Sequence, residues 1–92
     1  MTVREITLEL LPRERAALLR WNFTPDIRAQ LEALAESDAV ESITVTASLV
    51  RWLESDLNHA ILKRGCRDEV VIELADRLEY VERTGDGKLD RW

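Results

Sequence analysis

Cysteine, glycine and proline are scarce in this 92-residue sequence, and long apolar runs are missing. The single cysteine excludes a disulfide within the chain, so we expect a reducing, cytoplasmic setting. Three glycines and two prolines exclude collagen-like and linker-like composition. Apolar runs reach four residues at most. Because a membrane helix needs roughly 20 apolar residues, we expect no membrane span and no membrane partner.

Charge of one sign is not concentrated anywhere along the chain. Residues 1–46 hold 5 basic and 8 acidic residues, and residues 47–92 hold 8 and 10, which gives the total net charge of −5. This even spread favours neither a basic arm for nucleic acid nor an acidic tail. A 46% hydrophobic content is ordinary for a globular protein. We therefore expect one small domain over residues 1–84 and a flexible C-terminal tail over residues 85–92.

The first half of the chain predicts a strand and two helices. Polar and apolar residues alternate from Arg4 to Leu10, which indicates a half-buried strand. A short helix is predicted over residues 13–20, with Ala16, Leu18 and Leu19 facing the core. Thr24 as N-cap and Pro25 at the first position predict a second helix that ends near residue 36.

The second half repeats this order. Residues 41–46 alternate again and predict a second strand, after which Thr46 is a suitable N-cap for a helix over residues 47–63. Gly65 is a natural helix terminator. Apolar residues in the last helix, predicted over residues 67–83, recur at helical spacing: Val71, Leu74, Leu78 and Val81.

These elements predict an α+β fold built from two strand-helix-helix units. The simplest arrangement pairs the two strands as an antiparallel ribbon about a pseudo-twofold axis and covers one face with four helices. The apolar side of the ribbon then consists of five residues: Ile6, Leu8, Leu10, Ile43 and Val45.

In its order of elements, the chain resembles the ribbon-helix-helix DNA-binding proteins. In that family two chains pair their strands, and the outward side chains of the ribbon read bases in the major groove. The corresponding outward residues here are Glu5, Thr7, Glu9, Ser42 and Thr44. The resemblance implies a DNA-binding regulator, but two carboxylates on the ribbon and a net charge of −5 oppose phosphate binding. None of the family's sequence motifs is present.

Residues for catalysis, cofactors or metal are too few to predict a site. His59 and Cys66 are the only soft metal ligands, whereas a structural zinc site needs four ligands. Ser55, Asp56 and His59 share a helix face, but a solvated face lacks a pocket and an oxyanion hole. We predict no catalytic, cofactor-binding or metal-binding residues. Cys66 is predicted to be a buried, inert thiol, with a reactive thiol as the alternative.

The three tryptophans are the most informative residues for function. Tryptophan is enriched at the centres of protein interfaces, which makes Trp21, Phe23 and Trp92 candidate partner-binding residues. Trp21 also suits a role in the core of so small a domain, and Trp52 borders an apolar stripe and is predicted to be core. We therefore expect a non-catalytic protein-binding or regulatory module whose partner is another protein or a second copy. The alternative is a DNA-binding regulator of the ribbon-helix-helix type.

Overall fold

A computed structural model describes residues 4–22 and 24–89 and contains two strands and four helices. Their order matches the one predicted from the sequence. The bounds are β1 (Glu5–Leu10), α1 (Pro12–Trp21), α2 (Pro25–Ala33), β2 (Glu41–Thr46), α3 (Ala47–Lys63) and α4 (Glu69–Thr84).

The two strands form an antiparallel ribbon with one face buried. The register runs from Glu5 opposite Thr46 to Leu10 opposite Glu41. Because side chains alternate across a strand, this register places all five predicted apolar residues on the face that the helices cover, and each is at most 3% exposed. The predicted α+β class and the antiparallel pairing are confirmed. The helices repeat in order but differ in length between the two halves.

The second helix pair follows the predicted signals closely. Thr46 caps α3, since its hydroxyl accepts a hydrogen bond from the Leu49 N–H at 3.2 Å. Gly65 follows the helix with a φ of +69°, a left-handed conformation that suits glycine. Asp68 caps α4 through a 2.9 Å bond from the Val70 N–H. The predicted apolar stripe of α4 is confirmed in full as buried: Val71, Leu74, Leu78 and Val81.

The first helix pair departs from prediction in two respects. Ala16 is exposed and Ala17 is buried in its place, because α1 turns the charged residues Glu14 and Arg15 toward the interior. The second helix ends at residue 33 instead of 36. Its last turns tighten, and the carbonyl oxygen of Ser37 is bonded to the Arg15 guanidinium at 2.6 Å.

The described part of the segment after α4 lies along the outer edge of β1. The Glu9 N–H donates to the Gly87 carbonyl at 2.8 Å, and the Leu89 N–H donates to the Glu9 carboxylate at 3.0 Å. Gly87 forms a parallel bridge with Leu8. Residues 85–89, where the sequence predicts the start of a flexible tail, therefore lie beside the strand.

Candidate interaction surface

The central backbone groups on the open edges of the ribbon are already hydrogen-bonded. On β2, the Gln30 side-chain amide pairs with both the N–H and the carbonyl of Thr44, each at 2.9 Å. On β1, Glu9 donates to Gly87 and its carbonyl accepts from Arg77 at 2.7 Å. A partner strand that added to either edge would have to displace these groups. Binding through the ribbon edges is therefore disfavoured.

Two arginines that look like surface charges in the sequence are buried. Arg77 is 1% exposed and pairs with the Glu14 carboxylate at 3.0 Å. Burial lowers the pKa of Arg77 below its ordinary value, although Glu14 opposes this effect. Arg15 donates to three carbonyl oxygens, those of Leu10, Ser37 and Ala39. Both guanidiniums hold the fold together and are inaccessible to a partner.

Ser55, Asp56 and His59 do not act together in the structure, because Asp56 is hydrogen-bonded to another helix end. Asp56 is half-buried and accepts a 2.7 Å hydrogen bond from Asn22, which is itself 0% exposed. This bond joins the end of α1 to the middle of α3. Ser55 and His59 instead lie exposed on the outside of α3. The three side chains are thus divided between an internal contact and the surface.

The two soft metal ligands stand in different settings. His59 is exposed, whereas Cys66 is a half-buried free thiol that packs against the apolar core. Within the part of the chain that the structure describes, no group of three or more histidine, cysteine or acidic residues could hold a metal ion.

The outer face of α3 carries two of the exposed large apolar residues, Trp52 and Leu62. It consists of positions 48, 52, 55, 59 and 62, which fall within an arc of about 80° at 3.6 residues per turn. The five residues of this outer α3 face are all exposed: Ser48, Trp52, Ser55, His59 and Leu62. Trp52 is 64% exposed and Leu62 is 77% exposed. Two large apolar side chains therefore face solvent about 15 Å apart along one helix.

Charges beside the outer α3 face have one sign. Arg51 and Lys63 are exposed, whereas the two acids of α3, Glu54 and Asp56, are half-buried. The adjacent helix α4 is mainly acidic on its exposed side, and Arg83 near its C-terminal end is the exposed cation there. Four carboxylates there surround Ile72, which is 40% exposed: Glu69, Glu73, Asp76 and Glu79. We call these five residues the outer α4 face.

A pair of carboxyl groups lies between α3 and α4. Burial, a hydrogen bond to Glu82 and the negative charges of Glu82 and Glu79 raise the pKa of Glu54 to about 7. The same hydrogen bond, together with Arg51 at 3.0 Å, lowers the pKa of Glu82. Oε2 of Glu54 is buried and has no hydrogen-bond partner, which disfavours a negative charge on this carboxyl group. The pKa of Glu54 is therefore close to neutral, at a position between the two helices.

The aromatic residues that the sequence analysis considered for partner binding or for the core differ in their burial and in whether the structure describes them. Trp21 is half-buried against the core, with the Arg20 guanidinium 5.2 Å from the centre of its ring. Phe23 and Trp92 lie outside the described residues. The prediction that Trp52 belongs to the core is wrong. Its neighbours Val50 and Leu53 fill the core instead, and they leave Trp52 on the outside of α3.

A signal for the outer α3 face is nevertheless present in the sequence. Trp52 lies seven residues from His59 and ten from Leu62, spacings that place all three on one side of a helix. The core side of α3 lies opposite, where Leu53, Leu57 and Ala60 are buried. The position of Trp52 around the helix axis, read from these spacings, could therefore have distinguished it from the core residues of α3.

None of the helices in the described residues has the length and apolar content to cross a membrane. Comparisons of the chain with protein-family models, with curated proteins and with solved structures find no match.

Proposed function

We propose that this protein is a non-catalytic protein-binding module and that the outer α3 face is its docking surface. The observation that carries the proposal is the 64% exposure of Trp52 on the same helix face as Leu62. Large aromatic side chains contribute disproportionately to binding when a partner buries them. The cytoplasmic setting in the proposal comes from the sequence alone, with its single cysteine.

The supporting argument is that this face is available, whereas the ribbon edges and the two buried arginines make contacts within the fold. Gln30 and Gly87 cover the central edge groups of the ribbon, and Arg15 and Arg77 are buried. The outer α3 face has no such internal role, since its residues project from a helix that already buries its opposite side. Arg51, which is 79% exposed, adds a cation beside the apolar residues. Trp and Arg together are the residue types most enriched in interface hot spots.

Site-specific photo-cross-linking tests the proposal. Ser55 lies in the middle of the outer α3 face and is replaced by p-benzoylphenylalanine (Ser55→p-benzoylphenylalanine). Ser42, an exposed serine on the outward side of the ribbon, receives the same substitution as the matched control. Both variants are irradiated in lysate of the source cells, with and without nuclease. We expect a discrete protein adduct from position 55 that survives nuclease and is absent from position 42.

Other outcomes of this experiment contradict the proposal. Absence of any adduct at position 55, from a variant with the circular dichroism spectrum of the native protein, would exclude the outer α3 face as a docking surface. An adduct only at position 42 would move the binding surface to the ribbon. Loss of the adducts upon nuclease treatment would favour a nucleic-acid partner.

The second candidate function is a DNA-binding regulator similar to the ribbon-helix-helix proteins. The order of elements and the antiparallel ribbon favour it, whereas the outward residues Glu5 and Glu9 oppose it electrostatically. A mobility-shift titration with mixed-sequence duplex DNA at low salt distinguishes the two functions. A shift that weakens steeply as salt rises would support DNA binding, and no shift at low salt would exclude it.

A further inference from the structure

We propose that the partner of the outer α3 face is a second copy of this chain, bound as a two-fold dimer. In this dimer, the outer α3 face of each copy packs on the outer α4 face of the other. This inference rests on the proposed function, because it names the partner for the same surface. Three observations carry it: the opposite charges of the two faces, the exposed apolar residue on each, and their shared position along the helix pair.

The two faces are complementary in charge. Arg51 and Lys63 flank the outer α3 face, which has no exposed carboxylate, although the whole chain has a net charge of −5. The outer α4 face carries four exposed carboxylates, which outnumber the one exposed cation on the same side of α4, Arg83. Complementary charge of this kind favours encounter and sets the orientation of the partners. A second copy of this chain supplies both signs at once.

The positions along the helices also match. Arg51 contacts Glu82 at 3.0 Å, which fixes how the antiparallel helices α3 and α4 lie beside each other. From that contact, Leu62 is about 16 Å along α3 and Ile72 is about 15 Å along α4, at 1.5 Å per residue. Leu62 and Ile72 therefore lie at the same level and are 77% and 40% exposed.

A two-fold axis parallel to the helices brings these features together. Rotation about such an axis preserves the level of each residue and places α3 of one copy over α4 of the other. Leu62 then meets Ile72 of the second copy, and Lys63 lies between the levels of Glu69 and Glu73 of the second copy. A perpendicular axis would instead place α3 on α3 and bring like charges together. The axis parallel to the helices is therefore the favoured one.

A charge exchange between two variants tests this geometry. Lys63→Glu places a carboxylate opposite Glu73 of the second copy, and Glu73→Lys places an ammonium group opposite Lys63 of the second copy. A cation in the first turn of α4 would oppose the helix dipole. Glu73 is chosen because it lies beyond that turn. Sedimentation velocity from about 1 to about 300 μM covers the weak range expected of a two-helix interface.

We expect the native protein to dimerise, and each single variant to dimerise at least about tenfold more weakly. An equimolar mixture of the two variants should regain native association, because every contact in the mixed dimer again joins opposite charges. The control pair Arg13→Glu and Glu36→Lys makes the same charge changes at exposed positions outside both faces. These controls should dimerise like the native protein, both separately and mixed.

A second pair of variants tests the apolar contact. Leu62→Ser should weaken the dimer, whereas Val40→Ser, at a side chain that is 46% exposed in the loop before β2, should leave it unchanged. A monomer throughout the concentration range, or a mixture of charge variants that fails to associate, would overturn the dimer. The cross-linking at position 55 separates this failure from that of the proposed function. An adduct to a different protein would retain the docking surface and reject the second copy.

Discussion

At the scale of single residues, buried charge decides how the helices meet the ribbon. The Glu14 carboxylate accepts from the Leu11 N–H at 2.8 Å and from Arg77 at 3.0 Å, so one group both caps α1 and joins it to α4. Nε and Nη1 of Arg77 have no hydrogen-bond partner. The buried ion pair therefore lacks part of its possible hydrogen bonds. Its main effect on stability is that removal of either charge leaves the other buried without a partner.

This interdependence predicts a non-additive pair of substitutions. Arg77→Met should lower the free energy of unfolding by about 3 kcal/mol, because it leaves the Glu14 carboxylate buried without its cation. Glu14→Gln alone leaves the cation unpaired but keeps an oxygen that accepts from Leu11. The double variant should recover more than about 1 kcal/mol relative to the sum of the single effects. Urea unfolding measures all three, and strictly additive losses would show that the two charges are independent.

The Glu54–Glu82 pair predicts how stability changes with pH. Because the pKa of Glu54 in the folded protein is about 7, above its ordinary 4.5, the native state retains a proton that the unfolded state releases. Its contribution to stability is complete below about pH 4.5 and is lost as pH rises through about 7. The lowered pKa of Glu82 acts at more acidic pH, where its contribution is lost as pH falls. We therefore expect the melting temperature to decrease between pH 5.5 and pH 8.

Glu54→Gln should remove most of that decrease, because the neutral amide still donates to Glu82 but does not titrate. Glu73→Gln, on the exposed side of α4, is the matched control and should keep the native pH dependence. Thermal melts of the three proteins at both pH values provide the measurement. A native protein with equal melting temperatures at the two pH values would contradict the raised pKa of Glu54.

At the scale of elements, the segment after α4 closes the edge of β1 only because Gly87 has no side chain. A Cβ at this position would overlap the carbonyl oxygen of Thr7 and lie 2.9 Å from Cα of Leu8. Gly87→Ala should therefore displace the segment, break the Glu9–Gly87 hydrogen bond and cost about 1–2 kcal/mol. Hydrogen exchange should show faster exchange of the Glu9 amide.

Gly65→Ala is the control for this prediction. Gly65 has a φ of +69° but no atom within 4 Å of the position of a Cβ, so its replacement introduces backbone strain alone. It should lower stability without changing exchange at Glu9. If Gly87→Ala left that amide as protected as in the native protein, the segment would not be what protects the strand.

At the scale of the whole molecule, all six elements contribute to one apolar cluster. It includes Leu8 of β1, Leu18 of α1, Ile27 of α2, Val45 of β2 and Leu57 of α3, together with the buried stripe of α4. Since neither strand-helix-helix half has a core of its own, we expect a single cooperative unfolding transition. Far-UV circular dichroism and tryptophan fluorescence should give the same midpoint in urea. Two separate midpoints would indicate that the halves fold independently.

The sequence by itself determined the order and type of the elements, because each depends on local information. Alternation specified the buried face of both strands, Thr46 and Gly65 marked the limits of α3, and the spacing from Val71 to Val81 identified the core stripe of α4. Capping residues and apolar periodicity act over a few residues, so a single sequence reveals them.

Only the tertiary structure decided which polar side chains enter the core and which apolar ones stay outside. Arg15 and Arg77 are buried because carbonyl groups and Glu14, distant in sequence, converge on them. Trp52 is exposed because Val50 and Leu53 already occupy the space beneath α3. These outcomes depend on contacts between elements that are far apart in the chain. Helical spacing separates the side of α3 that carries Trp52 from its core side, but only the packed helices show that this side remains exposed.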